Sequence, residues 1–329
     1  MKKLLLIFLA GLISLPVNAQ QKQPLRLVET IPLPNIKGRI DHFGIDLSGR
    51  RLFMSALGDD LVEVFDLAGD RVLYSITGLR EPQGVTFVPD SNRIFVANGG
   101  DGTVRIFEGS TYQQIGVERY SSDADDTRYD ASTKRLYVGY GEGGIGILDG
   151  MTGKVLGQIR VKGHPEAFEV EKGGRRIYVN VPTAHEITVA DARRFGIIAR
   201  WRLRDFQENF PMGLDPARHR LFVATRQPAQ LIVFDTVSGE LVAHIDIGGD
   251  ADDLWYDARR QRIYISCGEG FVTVVRQRDA DHYAFLARVV TSSGARTSFY
   301  SPELNRLYVG APRRTGRSAR LLIYSVSGE

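Results

Sequence analysis

The chain has 329 residues, 43% hydrophobic and 25% charged, which suits a globular protein with a large core, built as two ordinary domains or one large all-β domain. Its formal charge of +3 falls to +1 once Lys2 and Lys3 are set aside with the leader expected below, so the broad basic footprint of a general nucleic-acid binder is excluded. Cys267 is the one cysteine, which excludes an intramolecular disulfide and leaves stability to the core.

The N-terminal residues read as a targeting segment. Lys2 and Lys3 precede an apolar run over residues 4–15, and Val17-Asn18-Ala19 is a small-residue cleavage site. The run is too short and wrongly flanked for a membrane span. Residues 1–19 are therefore expected to be a cleaved signal peptide, and residues 20–329 an exported chain, periplasmic or secreted, with no transmembrane segment. Residues 27–33, LVETIPL, then form the first strand-like run.

From there one mark recurs: a basic residue, a branched aliphatic, an aromatic and usually a further aliphatic. It appears as Arg51-Leu52-Phe53, Arg93-Ile94-Phe95, Arg135-Leu136-Tyr137, Arg176-Ile177-Tyr178, Arg220-Leu221-Phe222, Arg262-Ile263-Tyr264 and Arg306-Leu307-Tyr308, at spacings of 41 to 44 residues. Short runs of Val, Ile, Phe and Tyr between Gly, Asp, Asn and Pro make each unit strand and turn rather than helix. Seven such units predict an all-β fold: a single seven-bladed β-propeller of four-stranded antiparallel blades. In the second unit the strands are expected at residues 84–88, 93–97, 103–107 and 113–119. Unit seven ends after its third strand, at residues 320–324, so residues 27–33 are expected to supply its outer strand and close the ring. Trp201 and Trp255 are expected in core or interblade packing, and Cys267, at the end of an apolar strand, as a small buried hydrophobe.

The stretches RIFVANGGDGTVRIF, RLYVGYGEGGIGILDG and RLFVATRQPAQLIVFDTVSGE resemble the YVTN-repeat, YncE-like seven-bladed propellers of bacterial envelopes, over essentially the whole chain after the leader. That resemblance implies the fold and the compartment and leaves the activity open.

In such a ring the inner strands start at one face of the central channel, and the loops joining second and third strands reach the same face. Counting back eleven and ten residues from each marker aliphatic aligns Asp41-His42, Gln83-Gly84, Asp125-Asp126, Glu166-Ala167, Phe210-Pro211, Asp252-Asp253 and Arg296-Thr297. Four carboxylates among seven first-ring positions are costly in one space unless cations, protons or a counter-residue offset them. The expected ligand site is thus Asp41, His42, Gln83, Asp125, Asp126, Glu166, Asp252, Asp253 and Arg296, with His185 in a loop opening on the same face.

Several chemistries remain open for this mouth. Asp41, Asp125, Glu166 and Asp252 offer the hard oxygens that Ca2+ or Mg2+ takes. Paired acids beside His42 or His164 would suit general acid–base work, as in a metal-dependent, lactonase-like hydrolase or lyase. Acids with Arg296 would also recognise a cationic or polyhydroxyl ligand without chemistry, and acids at tight turns can simply cap backbone N–H groups. The leading expectation is a monomeric binding or interaction module whose partner is a small molecule or an envelope protein. Asp123 and Asp250 are expected as turn caps. Residues 312–320, PRRTGRSAR, form a longer loop with four arginines on the same face, where Arg313, like Tyr140, would touch a ligand if the loops fold inward. The glycine-rich turns at 98–102 and 141–144 lack the lysine and following helix of a phosphate loop.

Overall fold

The computed structural model describes residues 23–328. The expected leader lies outside them. Seven four-stranded antiparallel sheets follow one another around a ring, and in the first six the strands run in chain order from the channel outwards. The second blade is Pro82–Val88, Arg93–Asn98, Thr103–Glu108 and Gln114–Arg119, within two residues of the strands read from its sequence. No helix among the described residues is long and apolar enough to cross a membrane.

The ring closes as expected. Leu25–Leu33 pairs antiparallel with Ala319–Val326, from Leu25 opposite Val326 to Leu33 opposite Ala319 with one register shift between Leu27 and Glu29, and is the outer strand of blade seven. Leu25, Ile31 and Leu33 are buried there. Ser327 N–H also donates to the Pro24 carbonyl at 3.0 Å, so both ends of the chain are held in one sheet.

The recurring mark has a physical role at each of its positions. Its aromatic side chains, Phe53, Phe95, Tyr137, Tyr178, Phe222, Tyr264 and Tyr308, are all buried. The aliphatics beside them fill the neighbouring clusters between blades, as Leu52 does with Ile31, Leu33, Leu321 and Ile323. Its arginines reach forward into the next blade. Arg135 donates to the Ala192 carbonyl at 3.0 Å, Arg176 to Thr236 at 2.6 Å, Arg220 to Ala280 at 3.0 Å and Arg262 to Ser327 at 2.6 Å. Arg51 reaches the Gly109 carbonyl in the same way. Each of these carbonyls lies just after the third strand of the following blade, so a charged donor ties consecutive blades together. The acid ending the third strand caps the same turn: Asp235 Oδ1 accepts from the N–H groups of Val237 and Ser238 at 2.7 and 2.9 Å.

Near the axis the inner strands crowd. A Cβ on Gly84 would sit 2.4 Å from the Asp125 carbonyl oxygen, and one on Gly44 2.5 Å from that of Val85. Glycine there lets adjacent inner strands approach closely enough to narrow the channel. Cys267 is fully buried, with burial raising its thiol pKa, and Trp201 stacks between Tyr178 and Phe234 as interblade packing.

Candidate functional site at the channel mouth

The inner strands of blades two, three, five and six each carry a register shift at the channel mouth, between Pro82 and Val85, Ala124 and Thr127, Asn209 and Met212, and Ala251 and Asp253. Such bulges turn consecutive side chains away from strict alternation. In blades three and six they separate the two rings read from the sequence, whereas second-ring His42 and Ala167 line the mouth and first-ring Asp41 does not. The first-ring residues Gln83, Asp125, Glu166, Phe210, Asp252 and Arg296 line one cavity of about 270 Å³, together with Arg39, His42, Asp123, His164, Ala167 and Arg226. The second-ring residues Asp126 and Asp253 are buried beneath it.

One side of the cavity is a balanced lattice of three arginines and three aspartates. Arg39 Nη2 lies 3.0 Å from Asp41 Oδ2 and 3.9 Å from Asp252 Oδ2. Arg226 Nη2 donates to Asp252 Oδ1 at 2.8 Å and stands 3.3 Å from Asp250 Oδ1, with its guanidinium 4.0 Å from the Phe210 ring centroid. Arg296 reaches Asp252 Oδ2 at 3.0 Å and donates to Asp250 Oδ1 at 2.9 Å. Burial raises the Asp252 pKa against the pull of these arginines. Asp41 is wholly buried, and burial pushes its pKa up to about 7 although His42 and Arg39 oppose the shift.

The other side is acidic. His164 donates from Nδ1 to the Gly141 carbonyl at 2.7 Å, and its Nε2 stands 3.4 Å from Asp125 Oδ2. Burial alone would lower the imidazole pKa, but the Asp125 carboxylate and the Gly141 carbonyl outweigh it and raise it. Glu166 is raised by burial and then by Asp125, with His164 partly offsetting. No hydrogen-bond donor among the described residues reaches the Glu166 carboxyl, and Asp125 Oδ1 is buried without one. Asp123 Oδ1 accepts from Gln83 Nε2 at 2.8 Å.

Beneath lies a buried polar layer. His42 Nδ1 is 3.3 Å from Asp253 Oδ1, and burial, which would lower its pKa, is outweighed by Asp253 and Asp41. Asp253 Oδ2 accepts from Ser298 N–H at 2.7 Å, while Asp126 is paired with Arg128. Burial likewise raises Glu169 to about 7. Further along the inner strands the channel becomes aromatic, with Phe43, Phe87, Tyr129, Trp255 and Phe299 around a second cavity of about 270 Å³.

Not every expected site residue comes to the mouth. His185 is exposed on the rim and does not line the cavity; it has a left-handed backbone at the end of the short turn Pro182–Ala184. Tyr140 is buried against Tyr120, with ring centroids 4.2 Å apart, rather than turned to a ligand. Asp123 and Asp250 do have the left-handed backbone of turns, at φ 38° and 56°, yet their side chains also join the mouth. Among the described residues, no group of three or more His, Cys, Asp or Glu side chains is placed to hold a metal ion, and Asp41 and Asp252 face the arginines instead of Asp125 and Glu166. Arg39 and Arg226 were missed as site residues. Arg39 lies two positions before the Asp41 ring position, and Arg226 near the end of the strand Arg220–Gln227, which runs longer than its siblings.

No protein-family model matches the chain. It is 25% identical over 193 residues to the uncharacterized protein YncE of Salmonella typhi, and equally to that of Salmonella typhimurium, which covers 57% of this chain and 54% of each relative. The match thus spans about half the length of those relatives. In fold the chain is similar to a chain of Kuenenia stuttgartiensis hydrazine synthase, with a TM-score of 0.75 and 15% identity over 89% of this chain and 97% of that one. It is also similar to a chain of the mitotic checkpoint complex, with a TM-score of 0.78 and 13% identity over 100% and 99%. Likeness at such identities is one of architecture.

Proposed function

We propose that this YncE-like propeller is an exported binding module whose channel mouth takes the cationic group of a small polar ligand on Asp125 and Glu166. The charge pattern carries the reading. Above about pH 7, where Asp41 is ionised, Arg39, Arg226 and Arg296 are matched by Asp41, Asp250 and Asp252, which leaves Asp125 and Glu166 turned to the cavity with His164 as their one close counter-charge. A ligand ammonium supplies the donors that Glu166 and Asp125 Oδ1 lack, in a recess where an ion pair is only partly screened. Phe210, capped by Arg226, gives the same cavity an apolar wall. Export is proposed on the N-terminal leader pattern alone, and cell fractionation of the tagged full chain tests it.

Thermal melting with glucosamine, ethanolamine, glucose, CaCl2 and MgCl2 tests the site. The amines are expected to raise the midpoint with the logarithm of concentration. Asp125→Asn and Glu166→Gln are each expected to weaken that response by about ten-fold or more, the scale of one lost charged hydrogen bond. An amine response unchanged in both variants would sink the reading. A response to calcium or magnesium alone, lost in both variants, would assign the pair to a divalent cation instead. His164, raised by Asp125, and Glu166, raised by burial, stand at one cavity and favour one further reading, acid–base chemistry on the bound ligand by a hydrolase or lyase. Product analysis of the same incubations checks it.

A further inference from the structure

The arginine-rich loop at residues 312–320 does not lie loose on the surface. Arg314 and Arg317 pair through their backbones, at 3.0 and 2.9 Å, into a small hairpin. Arg314 Nε donates to the Ser293 carbonyl at 3.0 Å, and Arg320 Nη2 to Ser292 Oγ at 3.4 Å, which folds the loop against the connection between blades six and seven. Between this loop and the chain at 37–40 lies a cavity of about 390 Å³, separate from the channel mouth but walled by two of the same residues, Arg39 and Arg296.

Five cationic side chains line it, Lys37, Arg39, Arg296, Arg313 and Arg314, against one carboxylate, Asp250. Asp250 is already engaged by Arg296 and Arg226 at 2.9 and 3.3 Å. Among the described residues, neither the Lys37 ammonium nor the Arg313 guanidinium has a hydrogen bond or ion pair, and both residues are exposed. The backbone carrying Lys37 is fixed, because the N–H groups of Lys37 and Gly38 both donate to the Asp59 carboxylate, at 2.9 Å each to Oδ2. Unmatched cations gathered around one concavity repel one another and raise the local concentration of anions. A guanidinium fork beside an ammonium is the donor set that a carboxylate or phosphate accepts.

We propose that this pocket is an anion subsite, and that the ligand of the channel mouth carries a carboxylate or phosphate group that lies in it. The second half of this statement rests on the reading of the mouth as a cation site; the first does not. The occupant is then a zwitterion, its cationic end at Asp125 and Glu166 and its anionic end at Lys37 and Arg313, with Arg39 and Arg296 between them.

The test uses the full chain without its leader, at constant ionic strength. Inorganic phosphate and acetate, titrated against chloride, measure the subsite alone. At least one is expected to raise the melting midpoint saturably, and the better of the two identifies the anionic group. Lys37→Ser with Arg313→Ser, both at exposed positions, should weaken that response about ten-fold or more, while Asp125→Asn should lose glucosamine binding and keep the anion response. No response beyond chloride in the wild-type protein, or an equal response in the double variant, overturns the subsite. Phosphoethanolamine and the longer 6-aminohexanoate then test the span at two lengths. Joining the two groups at one of these lengths should tighten binding about ten-fold or more over phosphate or acetate alone, and the gain should vanish in Asp125→Asn. Two bifunctional compounds that both bind no more tightly than their anions overturn the single spanning ligand and leave the separate glucosamine result to judge the channel site.

Discussion

Replacing Asp41 with Asn should remove a pH dependence of stability that the wild-type fold carries. Asp41 is wholly inside, and burial lifts its pKa from 3.8 to about 7. Between those values the folded chain keeps a proton that the unfolded chain has released. Its contribution to stability therefore falls as pH rises across that window and levels off above about 7. From pH 5 to pH 8 one such carboxyl costs about 2–3 kcal/mol, because each unit of pKa shift is worth about 1.4 kcal/mol and roughly two units are crossed. The Asn variant has no proton to lose. Urea unfolding at pH 5 and pH 8, followed by fluorescence of Trp201 and Trp255, measures the difference between the two chains. Other titrating groups, Glu169 among them, contribute to both and largely cancel. The wild type should lose about 2–3 kcal/mol more than the variant over this interval. Equal losses in the two proteins would refute the placing of Asp41 as a buried, proton-holding acid.

Closure of the ring predicts that Leu25→Ala and Leu33→Ala, in the strand that completes blade seven, each cost about 2–4 kcal/mol in urea unfolding, as buried leucines do elsewhere. Losses below about 1 kcal/mol would show that this strand does not fasten the fold. Arg176→Ala should cost about 1–3 kcal/mol through its bond to the Thr236 carbonyl and its ion pair with Glu171, whereas Arg119→Ala on an exposed outer strand should stay within about 0.5 kcal/mol. The Cys267 thiol should resist an aromatic disulfide reagent in the folded protein and react fully once urea unfolds it. Reaction at the same rate in both states would contradict its burial.

The fold was almost wholly legible because the repeat is a packing rule. Each marker aromatic must be buried between blades, each marker aliphatic must sit beside it, and their spacing fixes every inner strand. The same count placed Gln83, Asp125, Glu166, Phe210, Asp252 and Arg296 around one cavity. Two things escaped it. Bulges in the inner strands of blades three and six decide which of two adjacent acids faces the mouth, and nothing in DADD marks where the extra residue sits. Arg39 enters from the segment before an inner strand, where register gives no direction for a side chain, and Arg226 from the end of a strand that runs past its siblings' length. Their charges change the meaning of the acids. Asp41 and Asp252 read as unpaired members of a ring and are two of the three acids in an arginine lattice, while Asp125 and Glu166 line the cavity with no arginine ion pair among the described residues.

The most direct test of that assignment is the proton count on binding. At pH 7.5 a cation arriving beside Glu166 and His164 favours the ionised carboxylate and the neutral imidazole, so both groups shed protons. Calorimetric titration of ethanolamine, an amine already fully protonated at this pH, into the protein in two buffers of different ionisation enthalpy reads this number. The account predicts release of about half to one proton per ligand, and a smaller release in Glu166→Gln. Proton uptake, or binding with no proton exchanged, would contradict a cation site at Asp125 and Glu166.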